Sequence, residues 1–181
     1  MRIVLDNTVV VIVDVQERLL PHMHEADRTR EKILTLIRGA RALEAPLLVT
    51  EQYPKGLGPT VAPVSEALGE SAPRIIKSTF SCCDDALFRE RLASVGRKTV
   101  LLAGIEAHVC VLQTALDLLE TGYQPVVVLD ATSSRNARER EIAARRIEVE
   151  GGRITSVESI LFELTRVSGT ARFKEISKLV K

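Results

Sequence analysis

TVLLAGIEAHVCVLQTALDLLETG, Thr99 to Gly122, reads as a strand, a turn and a helix in immediate succession. "TVLLAG" is almost continuously apolar, the mark of a strand covered on both faces. A helix is expected from Cys110 to Thr121, ended by Gly122 in a left-handed cap. Between them, "GIEAHVC" sets a cysteine where a buried strand becomes a helix. Cys110 is either a small core hydrophobe or a nucleophile at a helix N-terminus.

The same alternation extends in both directions. Upstream lie "TVVVIVD" (Thr8 to Asp14), a helix from Asp27 to Leu43, "PLLVT" (Pro46 to Thr50), "RIIKS" and a helix from Asp84 to Ser94. Ile33, Leu36, Ile37, Ala40 and Leu43 follow helical spacing. Downstream lie "PVVVLD" (Pro125 to Asp130), a helix from Asn136 to Glu150, the short strand "RITS", a capping box at Thr155 to Glu158 that opens a helix, and a last helix from Ala171 to Val180. Residues 51–73 hold four prolines and three glycines and read as loop, with a short helix near Val64 to Leu68. Strands alternating with helices imply an α/β fold, a parallel sheet with helices on both faces.

Composition narrows the classes. The chain has 181 residues, enough for one domain (1–181) with a sizeable core. Its formal net charge is +1 and its aromatic content 3%, which argues against nucleic acid or an anionic membrane as partner. There is neither a signal core nor an apolar run of membrane-spanning length. Three cysteines make no disulfide framework, so free thiols and a cytoplasmic location are expected.

Open α/β sheets bind ligands at the carboxyl ends of their strands. That rule gathers Asp14, Thr50, Glu51, Lys77, Gly104 to Cys110 and Asp130 along one edge. A thiol attacks as thiolate, so it needs a lowered pKa or an adjacent base. A helix N-terminus at Cys110 would favour the thiolate and offer N–H groups to an oxyanion. Asp14 could take the thiol proton, and Lys77 could hold Asp14 ionised. Such a trio suits acyl transfer from amides to water. Each residue also has a plain role: packing for a cysteine, a cap or turn for an aspartate, solvation for a lysine.

Three segments carry a resemblance: "VIVDVQERL" (Val11 to Leu19), "RIIKSTFSC" (Arg74 to Cys82) and "LLAGIEAHVCVLQTALDLLETGYQPVVVLDATSSR" (Leu101 to Arg135). In order and spacing they resemble the isochorismatase-like cysteine hydrolase superfamily, most closely its isochorismatase domain-containing subgroup. The resemblance implies a three-layer α/β/α, Rossmann-like fold with six parallel strands. It implies a catalytic Asp14, Lys77 and Cys110, a thioester intermediate and a homo-oligomer. It also implies a cis peptide at Ile105–Glu106 that aims the N–H groups of Glu106 and Cys110 at the oxyanion. Family nicotinamidases carry an Asp-x-His…His metal site after the second strand. Here that region reads "TEQYPKGLG", so neither a metal nor another cofactor is expected. True isochorismatases lack the nucleophilic cysteine, so vinyl-ether cleavage is not expected either.

Gln16, Tyr53, Phe80 and His108 are further candidates for a substrate pocket. His22 and His24 could line its mouth, and Cys82 and Cys83 read as packing at a helix start. Strand one runs into "DVQERL" rather than a glycine-rich phosphate loop. Two function classes emerge: a metal-independent cysteine hydrolase acting on a small amide or related acyl compound, and a non-catalytic binding or scaffold protein that keeps the fold.

Overall fold

The computed structural model of the chain describes residues 2–69 and 72–181. Six strands form one wholly parallel sheet: β1 (Thr8–Val13), β2 (Leu47–Gln52), β3 (Arg74–Lys77), β4 (Thr99–Ile105), β5 (Gln124–Ser133) and β6 (Arg153–Thr155), in the order β3-β2-β1-β4-β5-β6. Every residue of β1 is buried, which explains its unbroken apolar run. Val10 and Ile12 join one core layer, and Val9, Val11 and Val13 join the other.

Helices cover both faces. On the first lie α1 (Ala26–Ala42), α3 (Ala62–Leu68), α7 (Val157–Thr165) and α8 (Ala171–Leu179), after the single turn α2 (Pro54–Leu57) that precedes α3. On the second lie α4 (Ala86–Val95), α5 (Leu112–Glu120) and α6 (Ala137–Val149). Caps mark the starts: Asp85, Asn136 and Thr170 each accept the third backbone N–H of α4, α6 and α8. β1 sits between β2 and β4, so its carboxyl end opens where the chain order reverses, the position at which such sheets bind ligands.

Several boundaries differ from the sequence reading. The 51–73 segment holds the expected short helix as α3 but is otherwise no plain loop: β2 runs to Gln52, α2 follows, and Gln16 bridges Thr60. Residues 70 and 71 of that segment lie outside the described residues. The cap of α7 is Ser156, one residue beyond the expected Thr155. Strand five does not end at Asp130. Its pairing with β4 jumps from Leu102↔Val127 to Gly104↔Thr132, and this bulge lets it run on to Ser133. Asp130 is thereby drawn off the carboxyl edge, accepting the Val157 N–H and facing Lys32.

The last boundary concerns Cys110. A π-helical turn, Ala107–Val111, precedes α5, so the cysteine sits within a widened turn rather than at the first residue of a helix. Gly104, just before it, has φ +123°, and a Cβ there would lie 2.1 Å from the Val13 carbonyl oxygen. Glycine alone lets β4 pass the end of β1 this closely.

Candidate active site

Asp14 follows β1 with φ +51°, a left-handed conformation that aspartate tolerates better than most residues. Lys77 closes β3, two strands away. Their side chains meet across the end of β2, Lys77 Nζ lying 2.7 Å from Asp14 Oδ2 with both side chains fully buried. Isolated buried charges are costly, and this pair is compensated on every side. Thr50 donates its hydroxyl hydrogen to Asp14 Oδ1 at 2.7 Å. Lys77 Nζ also donates to Gln52 Oε1 at 2.7 Å and to the carbonyls of Thr79 and Phe80 at 3.0 and 3.1 Å. Burial alone would draw the Lys77 ammonium down. Burial is the largest single influence, but the Asp14 carboxylate and the Cys82 and Cys110 sulfurs together outweigh it, and the Lys77 pKa lies above its ordinary value.

Cys110 stands over this pair. Burial first, and the Asp14 carboxylate next, push its thiol well above the ordinary range, and Lys77 opposes them without prevailing. Asp14 acts on the thiol chiefly through its charge. The resting group is therefore a thiol directed at a carboxylate. This differs from the expectation of a thiolate favoured by a helix N-terminus: dehydration and the adjacent negative charge both hold the proton on sulfur. A carboxylate beside a thiol can accept its proton.

The Ile105–Glu106 peptide bond is cis. The N–H groups of Val109 and Val111 are committed to the Glu106 carbonyl.

Cys110 lines a cavity of about 280 Å³ with Leu19, Gln52, Tyr53, Leu57, Phe80, Glu106, Val109 and Arg135. Tyr53 and Phe80, both anticipated, are more than half exposed and form its mouth. Gln16 and His108 are not on its wall. Gln16 is fully buried and its amide ties β2 to the following turn through Gln52 and Gly58. His108 Nδ1 pairs with Ser134 Oγ at 2.9 Å, because the π-helical turn directs it toward the end of β5 rather than toward Cys110. His22 and His24 are also absent from the cavity, and His24 faces Glu25.

Two charged side chains join the wall: Glu106, expected only for its backbone, and Arg135, which the sequence reading did not name as a site residue. The Glu106 carboxylate, nearly buried, accepts Arg135 Nε at 3.2 and 3.3 Å. Arg135 reaches the cavity only because the bulge prolongs β5, and nothing in the local sequence marks that bulge. Cys82 is sealed in the core, its thiol raised to about 11 by burial and then by Asp14. Among the described residues no three His, Cys, Asp or Glu side chains cluster as a metal site, and no helix is long and apolar enough to cross a membrane.

A family model described as "Isochorismatase domain" matches residues 8–159. The chain is 41% identical over 184 residues to the secreted isochorismatase effector Isc1 of Phytophthora sojae, covering 99% of this chain and 87% of that one. Among solved structures it is similar to the MAR1 ribonuclease of Caenorhabditis elegans (39% identity, TM-score 0.93, covering 99% and 92%). It is also similar to the YcaC gene product of Escherichia coli, described as an octameric hydrolase of unknown specificity (26% identity, TM-score 0.94, covering 99% and 89%).

Proposed function

The chain belongs to the isochorismatase family, and from that premise we propose that it is a cysteine hydrolase of small amides or related acyl compounds, with Cys110 as nucleophile. The observation that carries the reading is the sealed Asp14–Lys77 pair directly behind a thiol that opens on a cavity. A pair this costly to bury has a plain use when one partner must exchange a proton with its neighbour.

The reaction runs in two halves. Asp14 takes the Cys110 proton as sulfur attacks the carbonyl carbon. The carbonyl electrons move to oxygen, which accepts hydrogen bonds from the N–H groups of Glu106 and Cys110. Asp14 returns the proton to the leaving nitrogen, the C–N bond breaks, and an acyl thioester remains. Asp14 then accepts a proton from water, whose oxygen attacks the thioester. The C–S bond breaks, and the proton passes back to sulfur. Lys77 holds the carboxylate in place throughout and offsets the charge that develops on sulfur. No step calls for a metal or cofactor.

The apolar wall of Leu19, Leu57, Val109, Tyr53 and Phe80 suits a compact, partly apolar acyl group. The exposed rings at the mouth, together with the octameric description of one relative, support self-association. Three free thiols suit a reducing compartment such as the cytoplasm.

The test is release of ammonia or amine from a panel of small amides and carbamates, by the natural chain and by its Cys110→Ala and Cys110→Ser variants. Turnover by the natural chain alone supports the reading. Equal turnover by all three contradicts it. So does an absence of turnover with tight retention of a protein partner, which favours a scaffold, or cleavage of an RNA oligonucleotide that survives both substitutions.

A further inference from the structure

We infer that Thr50 is a positioning residue for the proton-accepting carboxylate of Asp14, an inference that rests on the hydrolase reading above. The argument begins with topology. Asp14 ends β1 and Lys77 ends β3, so their contact must cross the end of β2. Two β2 residues on the same face stand at that crossing. Thr50 pairs with Val13, beside Asp14, and Gln52 pairs with Lys77.

Thr50 is fully buried and does not line the cavity, so it has no access to a substrate. An ionised carboxylate can only accept hydrogen bonds, so the Thr50 hydroxyl must be the donor to Oδ1. Among the other buried or half-buried threonines, Thr8, Thr132 and Thr165 each give this hydrogen to a backbone carbonyl four residues away, and Thr60 gives it to the Glu51 carboxylate nine residues away. Thr50 instead sends it 36 positions along the chain, to the carboxylate that pairs with Lys77.

The hydroxyl is itself held from behind. The Cys82 Sγ lies 3.9 Å from Thr50 Oγ1, and the Cys82 backbone N–H donates to Thr114 Oγ1 on α5 at 2.9 Å. A continuous polar path thus joins α5, the helix that follows the nucleophile, to Asp14. With Lys77 on Oδ2 and Thr50 on Oδ1, the carboxylate cannot rotate about its terminal torsion, and it keeps one orientation toward Cys110. A hydroxyl hydrogen turns about its C–O bond with no heavy-atom movement. Thr50 therefore donates to Asp14 while Asp14 is a carboxylate, and its oxygen accepts from the Cys82 thiol.

Acrylamide serves as the probe. The Cys110 sulfur bonds to its terminal carbon, the C=C becomes a single bond, and the thiol proton passes through Asp14 to the adjacent carbon. Nothing is oxidised or reduced. The rate of addition at Cys110 is read by peptide mass spectrometry across pH 6 to 9 in the full chain, with melting curves alongside. Thr50→Val, which keeps the shape and loses the hydroxyl, is expected to slow addition about tenfold and to change the pH profile. Thr50→Ser, which restores the hydroxyl, is expected to return the rate to within about threefold of the natural chain. Thr50→Ala takes the place of Thr50→Val where valine does not fold. A hydroxyl-free variant as fast as the natural chain overturns the inference, as does a serine variant as slow as valine. The outcomes separate the two claims. If Cys110 of the natural chain reacts no faster than Cys83, the hydrolase reading itself fails. If it reacts fast and Thr50→Val matches it, only the role of Thr50 fails.

Discussion

Two cavities of this molecule present a cysteine, and they are built differently. The larger, about 410 Å³, is lined by Cys83 with Asp84, Arg89, Asp117 and Tyr123 among others. The smaller, about 280 Å³, is lined by Cys110. Both thiols are pushed up by burial first, Cys83 to about 12 and then by the sulfur of Cys82 and by Asp117. Behind Cys83 the nearby Asp117 is occupied by the Ser81 hydroxyl, and Arg89 donates to the Cys83 carbonyl. Behind Cys110 stands a carboxylate held by an ammonium and a hydroxyl, and it acts directly on the thiol. What sets the Cys110 cavity apart is a carboxylate beside the thiol, with a cation held against that carboxylate; on the proposed function these serve as proton acceptor and charge offset.

The sharpest break between the two cavities is catalytic. Cys110→Ala is expected to lower amide turnover by roughly 10³-fold or more, and Cys83→Ala to leave it within about twofold. Steady-state kinetics on the same substrate checks both. Next comes stability. Removing one member of the sealed pair, by Asp14→Asn or Lys77→Met, strands the other in the core and is expected to cost about 3–5 kcal/mol in urea unfolding. Replacing both with apolar residues is expected to recover most of that loss while activity stays absent.

A smaller effect follows from the raised thiols. Each is protonated in the fold up to a higher pH than in the unfolded chain. Their contribution is intact below about pH 8.5 and is lost as pH rises through the folded values, about 11 for Cys82 and about 12 for Cys83. Unfolding free energy is expected to fall between pH 8.5 and 11 by on the order of 2 kcal/mol per thiol, and Cys82→Ala is expected to flatten that slope. Smallest is the mouth of the Cys110 cavity. Tyr53→Ala or Phe80→Ala is expected to raise KM by about three- to tenfold with kcat nearly unchanged, since each ring offers partly exposed apolar contact.

Sequence reading brought Asp14, Lys77 and Cys110 to one edge of the sheet because strand ends are legible from apolar runs and the carboxyl-edge rule needs nothing more. It misassigned Asp130 because a bulge is set by how β5 registers on β4, not by the composition of β5. Arg135 entered the cavity wall by the same displacement. His108 looked close to Cys110 in sequence, yet a π-helical turn sends it to Ser134. The direction of the Cys110 pKa was illegible for a different reason. A helix start is visible in the chain, but burial and the distance to a carboxylate arise only on folding.

The most direct measurement of the central claim is competitive labelling of the natural chain with acrylamide at pH 7, resolved by peptide mass spectrometry. Cys110 is expected to acquire the adduct at least about tenfold faster than Cys83, although its cavity is the smaller. Equal rates, or faster labelling of Cys83, would contradict the assignment of Cys110 and Asp14 as nucleophile and base.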